Sequence, residues 1–231
     1  MKNLEQYVRS HAEHHLASPD GRVPVDLHWQ FTLKEFGLPL DIDQIWNNAR
    51  QIEIAGATVR ALGVEDLLIV LCVNGAKDSW PRLDRICDVT ALIAKYPQLN
   101  WQQVITTSRA AGAARMVIVT LLLASDLLRL PLPPEIAAWI ARDRAAAPLA
   151  AEILRRLLIP APQADQALTG FPRFKFQLRL RDRRRDRLRY VFAQFSPTVG
   201  DWAAFPLPDH LRLLHYFIRP LRLLLARTAA P

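Results

Sequence analysis

Residues 67–94 read LLIVLCVNGAKDSWPRLDRICDVTALIA, and the rest of the chain is organised around this stretch. Two apolar runs with helical spacing flank a short polar segment at residues 74–81, which predicts two helices joined by a tight hinge. The hinge would gather Lys77, Trp80, Arg82 and Asp88 in one neighbourhood. Two interpretations stay open, a solvated turn in a helical hairpin or one wall of a ligand site.

The composition is that of a packed globular protein. The chain has 231 residues, 51% of them hydrophobic, with a formal net charge of +8. No secretory signal pattern is visible near the N-terminus, and no apolar run approaches the roughly 18–20 residues of a membrane span. We therefore expect a soluble cytoplasmic protein. Cys72 and Cys87 lie in apolar helical patterns, as expected for small packing residues in a reducing compartment, and a disulfide between them stays open.

One strand is clear from alternation. Residues 22–31, RVPVDLHWQF, place apolar side chains on one face and Asp26 and His28 on the other. A carboxylate in the middle of an apolar strand is either exposed or paired with a cation, so Asp26 is a candidate metal ligand. Residues 52–54 and 58–60 predict a hairpin about Ala55-Gly56. With the first strand this hairpin would form a small sheet of about three strands with an exposed edge, which favours oligomer formation.

The chain after Val64 predicts helices almost throughout. The fold class is therefore mainly α, with a small N-terminal sheet, and we expect three parts: residues 1–62, 63–160 and 161–231. Local signals fix the remaining elements: a short helix and turn over 1–20, a helix capped by Asn100 and ended by Gly112, a central apolar helix over 113–130, helices over about 134–143 and 147–158, a linker at 160–172, and a last amphipathic helix over about 208–227 kinked at Pro220.

Two groups near the N-terminus resemble metal ligands but have simpler explanations. His11 and His15 could share a helix face and bind a metal, or they could be solvated. Asp41 and Asp43 form an Asp-x-Asp pair, yet they open a helical pattern, where an N-cap and a first-turn acid are favoured.

A basic segment covers residues 173–189, with nine Lys or Arg residues and two Asp residues, so it carries most of the net charge. No known nucleic-acid-binding motif accompanies it, and nucleic acid is not the expected partner. The segment could dock an acidic partner or an anionic membrane surface, or it could be a solvated helix face. The proposed patch consists of Arg181, Arg183, Arg184, Arg185 and Arg187.

Three stretches together resemble a bacterial family, the uncharacterised nucleotidyltransferases of the polymerase-β-like superfamily, which occur near polysaccharide-biosynthesis genes. The resemblance runs from about residue 14 to residue 227. It rests on these motifs: Val25-Asp26-Leu27-His28-Trp29; Gly75-Ala76-Lys77, Trp80-Pro81-Arg82-Leu83 and Cys87-Asp88-Val89; Ser196-Pro197-Thr198, Asp201-Trp202, Leu207-Pro208, Leu211 and Arg219-Pro220-Leu221-Arg222-Leu223.

The resemblance implies metal-dependent transfer of a nucleoside phosphate from a nucleoside triphosphate, with divalent Mg neutralising the phosphates. Asp26 matches the third metal-binding carboxylate of the family and would be the catalytic metal ligand. Lys77 would meet a phosphate, Trp80 and Arg82 would shape the nucleotide pocket, and Asp88 would orient Lys77 or cap the hinge.

The chain departs from the family pattern in two places. A Gly-Ser turn and an Asp-x-Asp strand should precede Asp26, and neither does. The resemblance therefore implies a family member without its catalytic N-terminal half, inactive alone and dependent on a missing catalytic segment. In the hinge, the family has His where this chain has Asn74 and Asp78, and an aromatic residue where it has Arg85.

Overall fold

A computed structural model describes residues 13–158 and 168–195, together with Leu214 and Tyr216. The chain divides into two compact units, one formed by residues 1–37 with 187–231 and the other by residues 38–186. The fold is mainly helical with small sheets near the N-terminus, as the sequence predicts. In the part of the chain that the structure describes, no helix is long and apolar enough to cross a membrane.

The first unit contains an antiparallel hairpin. Strand β1 (Glu13–Ala17) pairs with β2 (Pro24–His28), followed by a short 3-10 helix (Lys34–Phe36). The helix predicted within residues 1–20 is therefore wrong at residues 13–17, which form strand β1. The turn at residues 18–21 returns the chain on itself, with Gly21 in the left-handed region and its N–H donating to the Ser18 carbonyl at 2.8 Å. Cross-strand pairing then overrides the weak local helix preference.

One face of this hairpin is apolar and exposed. Leu16 pairs with Val25, so their side chains share a face with Leu27, and all three are exposed. Such a face favours association with another chain. The expected oligomer formation stays a prediction.

The second unit begins with helix α1 (Ile42–Asn47) and a second hairpin, β3 (Arg50–Ile54) with β4 (Ala57–Ala61). Asp41 caps α1, accepting from the Gln44 N–H at 2.9 Å, which confirms its role as an N-cap. Ala55 and Gly56 both have positive φ, as a two-residue hairpin turn requires. The prediction of a single sheet of about three strands is wrong, because the described strands form two separate two-stranded sheets. Each strand pairs with its neighbour in sequence, where loop closure costs least.

Eight further helices are described. They are α2 (Val64–Asp78), α3 (Asp84–Lys95), α4 (Trp101–Ala111), α5 (Ala114–Leu128), α6 (Pro134–Arg142), α7 (Ala146–Leu157), α8 (Gly170–Arg179) and α9 (Arg184–Gln194). Helix α5 packs against α2, α3, α4, α6 and α7, so the most apolar helix is central, as predicted. Asn100 caps α4 and Gly112 ends it in the left-handed conformation, which confirms both signals.

The predicted hinge and the predicted linker both differ from the structure in their bounds. Helix α2 continues to Asp78, so most of the polar hinge is helical and the connection is shorter. The basic segment forms two helices, α8 and α9, and α8 begins inside the predicted linker. The last helix, predicted over 208–227, lies outside the described residues apart from Leu214 and Tyr216. Cys72 is buried, Cys87 is exposed and both are free thiols, so the two cysteines do not form a disulfide.

Candidate functional site

Asp26 lies on the polar face of the β1–β2 hairpin. Because directly opposite residues share a face, the register places Asp26 beside His15, and His28 beside Glu13. His15 Nδ1 is 2.6 Å from Asp26 Oδ1, and His28 Nδ1 is 3.1 Å from Glu13 Oε2. The Asp26 side chain is 51% exposed. Its carboxylate is therefore accessible, and the face carries two carboxylates and two imidazoles.

These side chains form pairs with one another and do not converge on one point. Among the described residues, no group of three or more His, Cys, Asp or Glu side chains could hold a metal ion. Mg prefers an oxygen shell, whereas one neighbour of Asp26 here is an imidazole. The described residues alone do not fit the metal centre of a nucleotidyltransferase, and other carboxylates would have to join Asp26.

The Asp26 carboxylate raises the pKa of His15 above its usual 6.5, first through their hydrogen bond and then through charge attraction. We expect the His15 ring to titrate above 6.5 and Asp26→Asn to lower that pKa towards 6.5. The pair stabilises the hairpin below the unfolded pKa, and this contribution is lost as pH rises through the raised folded pKa. An NMR titration of the ring protons measures the shift. Glu53→Gln, which removes a carboxylate from the other hairpin, is the control, and an equal effect of both substitutions would contradict the pairing.

The structure places Lys77 and Trp80 at the end of α2. The Lys77 carbonyl accepts from Arg173 Nη2 at 3.0 Å. Ser79 and Trp80 both have left-handed backbone conformations, and the Trp80 side chain is 0% exposed. The Trp80 indole packs on Gly75, where an added Cβ would overlap it. In this structure Trp80 is a core side chain, and its predicted contact with a nucleotide would require rearrangement of the α2 end.

A buried glutamine on α8 fixes the end of α2. The Gln177 amide donates to the Ala76 carbonyl at 2.7 Å and to Ser79 Oγ at 3.2 Å. The Ala76 carbonyl also accepts from the Ser79 N–H at 3.1 Å, so Gln177 adds a second donor where the helix ends. No local sequence pattern predicts this contact, because the partners are about a hundred residues apart.

The other hinge candidates are dispersed over the surface. Arg82 is exposed and pairs with Asp84 at 3.1 Å, and Asp88 is exposed on α3. Within the described residues no ion pair joins Lys77 to Asp88, so the expected orientation of Lys77 by Asp88 is not observed. Instead Arg85 Nη2 lies 3.6 Å from Asp78 Oδ2. The nucleotide-binding roles of Lys77, Arg82 and Asp88 stay predictions.

The basic segment is only partly exposed. Arg184, Arg185 and Arg187 are exposed on α9, and Arg183 is half-buried. Arg181 is 0% exposed, so it does not belong to an exposed patch. Its Nη1 donates to the Gln177 carbonyl at 2.6 Å and to Gln177 Oε1 at 3.1 Å. Arg181 can be buried because hydrogen bonds to a buried glutamine compensate part of the cost of burying its guanidinium.

A pocket in the second unit contains a carboxylate that the sequence patterns did not single out. Asp66, in the first turn of α2, is buried, and its Oδ2 accepts from Asn48 Nδ2 at 2.9 Å. Burial raises the pKa of Asp66, and the Asn48 hydrogen bond opposes the shift. The pocket occupies about 230 Å³ between α1, α2 and α4, and Asp41 also lines it. First-turn acids are common at helix N-termini, which is why Asp66 did not stand out in the sequence.

Comparison with protein families identifies the class of protein. Residues 2–129 match the model of a family described as an uncharacterised nucleotidyltransferase. The match covers more than half of the chain, and the chain belongs to this family. The matched range includes the hairpin with Asp26 and helices α1 to α5. No curated protein and no solved structure matches the chain.

Proposed function

We propose that this chain takes part in metal-dependent nucleotidyl transfer, with Asp26 as one carboxylate ligand of a divalent Mg ion. The family match carries the proposal, because it extends across β2 and its exposed carboxylate. In enzymes of this chemistry, carboxylates hold divalent metal ions, and the metal ions neutralise the triphosphate. The substrate would be a nucleoside triphosphate.

The remaining metal ligands would come from a segment or chain that supplies an Asp-x-Asp strand. The sequence has one Asp-x-Asp pair, and its Asp41 caps α1 and holds the Gln44 N–H. On this proposal the chain is inactive alone. The hairpin fits such a role, since among the described residues β1 and β2 pair only with each other, and an outer edge could accept a further strand.

The test measures binding of Mn²⁺ with a nucleoside triphosphate to the protein isolated from its native cell, with any chain that accompanies it. Asp26→Asn should weaken this binding at least about tenfold, a loss typical of removing a metal ligand or its close support. Asp43→Asn, which removes an exposed carboxylate from the first turn of α1, is the matched control. Unchanged binding in Asp26→Asn would refute the assignment of Asp26. No binding to the native assembly would refute nucleotidyl transfer itself.

A second candidate function is a non-catalytic helical module that binds an acidic partner or an anionic membrane surface. The supporting observation is the exposure of Arg184, Arg185 and Arg187 on α9. Exposed arginines attract an anionic surface, and salt screens that attraction.

Replacing Arg183, Arg184 and Arg185 with Ala should abolish sedimentation with anionic vesicles at low salt, because each basic residue near such a surface contributes about 1 kcal/mol. Replacing Arg22, Arg82 and Arg155 with Ala removes the same charge elsewhere and should leave most of the binding. If the unaltered protein fails to sediment at low salt, the membrane version is excluded.

A further inference from the structure

A cavity of about 480 Å³ opens in the second unit where α4, α5 and α6 meet the turn before α7. Four arginines line it: Arg109, Arg115, Arg142 and Arg144. Two carboxylates, Asp143 and Asp182, line it as well. The lining therefore has an excess of positive charge, and its volume lies in the range of small-molecule sites.

One arginine is neutralised and fixed. Arg115 Nε donates to Asp143 Oδ2 at 2.7 Å, and Arg115 Nη1 donates to the carbonyls of Arg179 and Arg181 at 2.7 and 3.1 Å. Its side chain is 10% exposed. These hydrogen bonds hold the Arg115 side chain in place, because its guanidinium cannot turn without leaving buried acceptors unsatisfied.

The other three arginines have no such partner. Among the described residues, none of Arg109, Arg142 and Arg144 forms an ion pair with a carboxylate. All three are exposed, and the Arg109 guanidinium lies 6.0 Å from the centre of the Trp139 ring. Guanidinium groups bind phosphate oxygens through parallel N–H donors. Three guanidinium groups at one cavity favour an anion.

The start of one helix adds to the positive field. Helix α5 begins at Ala114 without a side-chain cap, and Ala114 lines the cavity. At the start of α7 the Ala145 N–H already donates to Asp143 Oδ1 at 3.0 Å, and the Ala146 N–H donates to the Asp143 carbonyl at 3.0 Å. The dipole of α5 stabilises negative charge at its first turn.

Asp182 adds a second requirement. Its Oδ1 is buried and has no hydrogen-bond partner among the described residues. A buried oxygen without a donor is costly, so a ligand that brings a hydroxyl group would satisfy it. A bare anion would meet repulsion there.

We propose that this cavity binds a small phosphate ester that carries hydroxyl groups. The phosphate contacts Arg109, Arg142 and Arg144, and a hydroxyl donates to Asp182 Oδ1. The inference is independent of Asp26 and of nucleotidyl transfer.

The experiment is calorimetric titration of the full chain with three probes, glucose 6-phosphate, inorganic phosphate and glucose. Glucose 6-phosphate should bind most tightly, inorganic phosphate more weakly, and glucose not at all. Arg142→Gln with Arg144→Gln should weaken both phosphate probes at least about tenfold, as expected when two charge-assisted contacts are lost. Arg155→Gln with Arg129→Gln, an equal change of charge outside the cavity lining, should change neither.

Asp182→Asn distinguishes a built site from general attraction to positive charge. It should weaken glucose 6-phosphate, because the amide is a poorer acceptor, and should strengthen inorganic phosphate, because repulsion is removed. Opposite signs for the two probes support the proposal. Equal changes for both probes, an unchanged Arg142→Gln/Arg144→Gln variant, or no binding of glucose 6-phosphate at millimolar concentration would overturn it.

Discussion

Trp80→Ala is expected to lower the free energy of unfolding by about 3–5 kcal/mol, the cost of emptying a buried aromatic site. The side chain is fully buried and packs on Gly75, where the helix has no Cβ. Alanine would leave a cavity that the surrounding helices can close only in part. Urea unfolding of the two proteins at pH 7, followed by circular dichroism, measures the difference.

Trp46→Ala is the matched control for this measurement. Trp46 lies on α1 with half of its side chain exposed, and its main aromatic contact is with Arg60, at 5.4 Å from the ring centre. The control should cost less than about 1 kcal/mol, because a surface cation–π contact is weak. Equal costs for Trp80→Ala and Trp46→Ala would show that Trp80 is not a core residue, and its predicted role in nucleotide binding would regain support.

Arg115→Ala is expected to destabilise the second unit by about 3–5 kcal/mol, the usual cost of breaking a buried ion pair from one side. The substitution leaves the Asp143 carboxylate, 12% exposed, without its cation. It also removes the donor to the carbonyls of Arg179 and Arg181. Urea unfolding with the midpoint and slope fitted together measures the loss.

Two further variants test the reason for this loss. Arg85→Ala breaks the partly exposed pair with Asp78 and should cost about 0–1 kcal/mol, because water screens it. Arg115→Ala combined with Asp143→Ala should cost less than the sum of the two single substitutions, since the second removes the stranded carboxylate. Additive costs would mean that the pair does not act as a unit.

The ion pair between Asp78 and Arg85 lies at two hinge positions where the resemblance implies His and an aromatic residue. Arg85 Nη2 is 3.6 Å from Asp78 Oδ2 across the connection between α2 and α3. The two residues that depart from the implied pattern therefore contact each other.

The elements that could be predicted from the sequence are those whose hydrogen bonds are local. Asp41 and Asn100 cap their helices through N–H groups three residues away, and Ala55-Gly56 forms the turn that joins adjacent strands. The apolar pattern of α5 also predicted its central position. The resemblance gave the family, which its matched residues confirm.

Which charged side chains are buried, and which contact each other, depends on how the helices pack. Arg115 and Asp143 are 28 residues apart, and the Arg181 guanidinium is enclosed although it lies in the most basic segment. A single arginine at the start of the apolar helix α5 was the one sequence signal for the buried pair. Burial and long-range pairing depend on how helices pack, and packing joins residues that no local pattern relates. The arginine-lined cavity is a product of that packing.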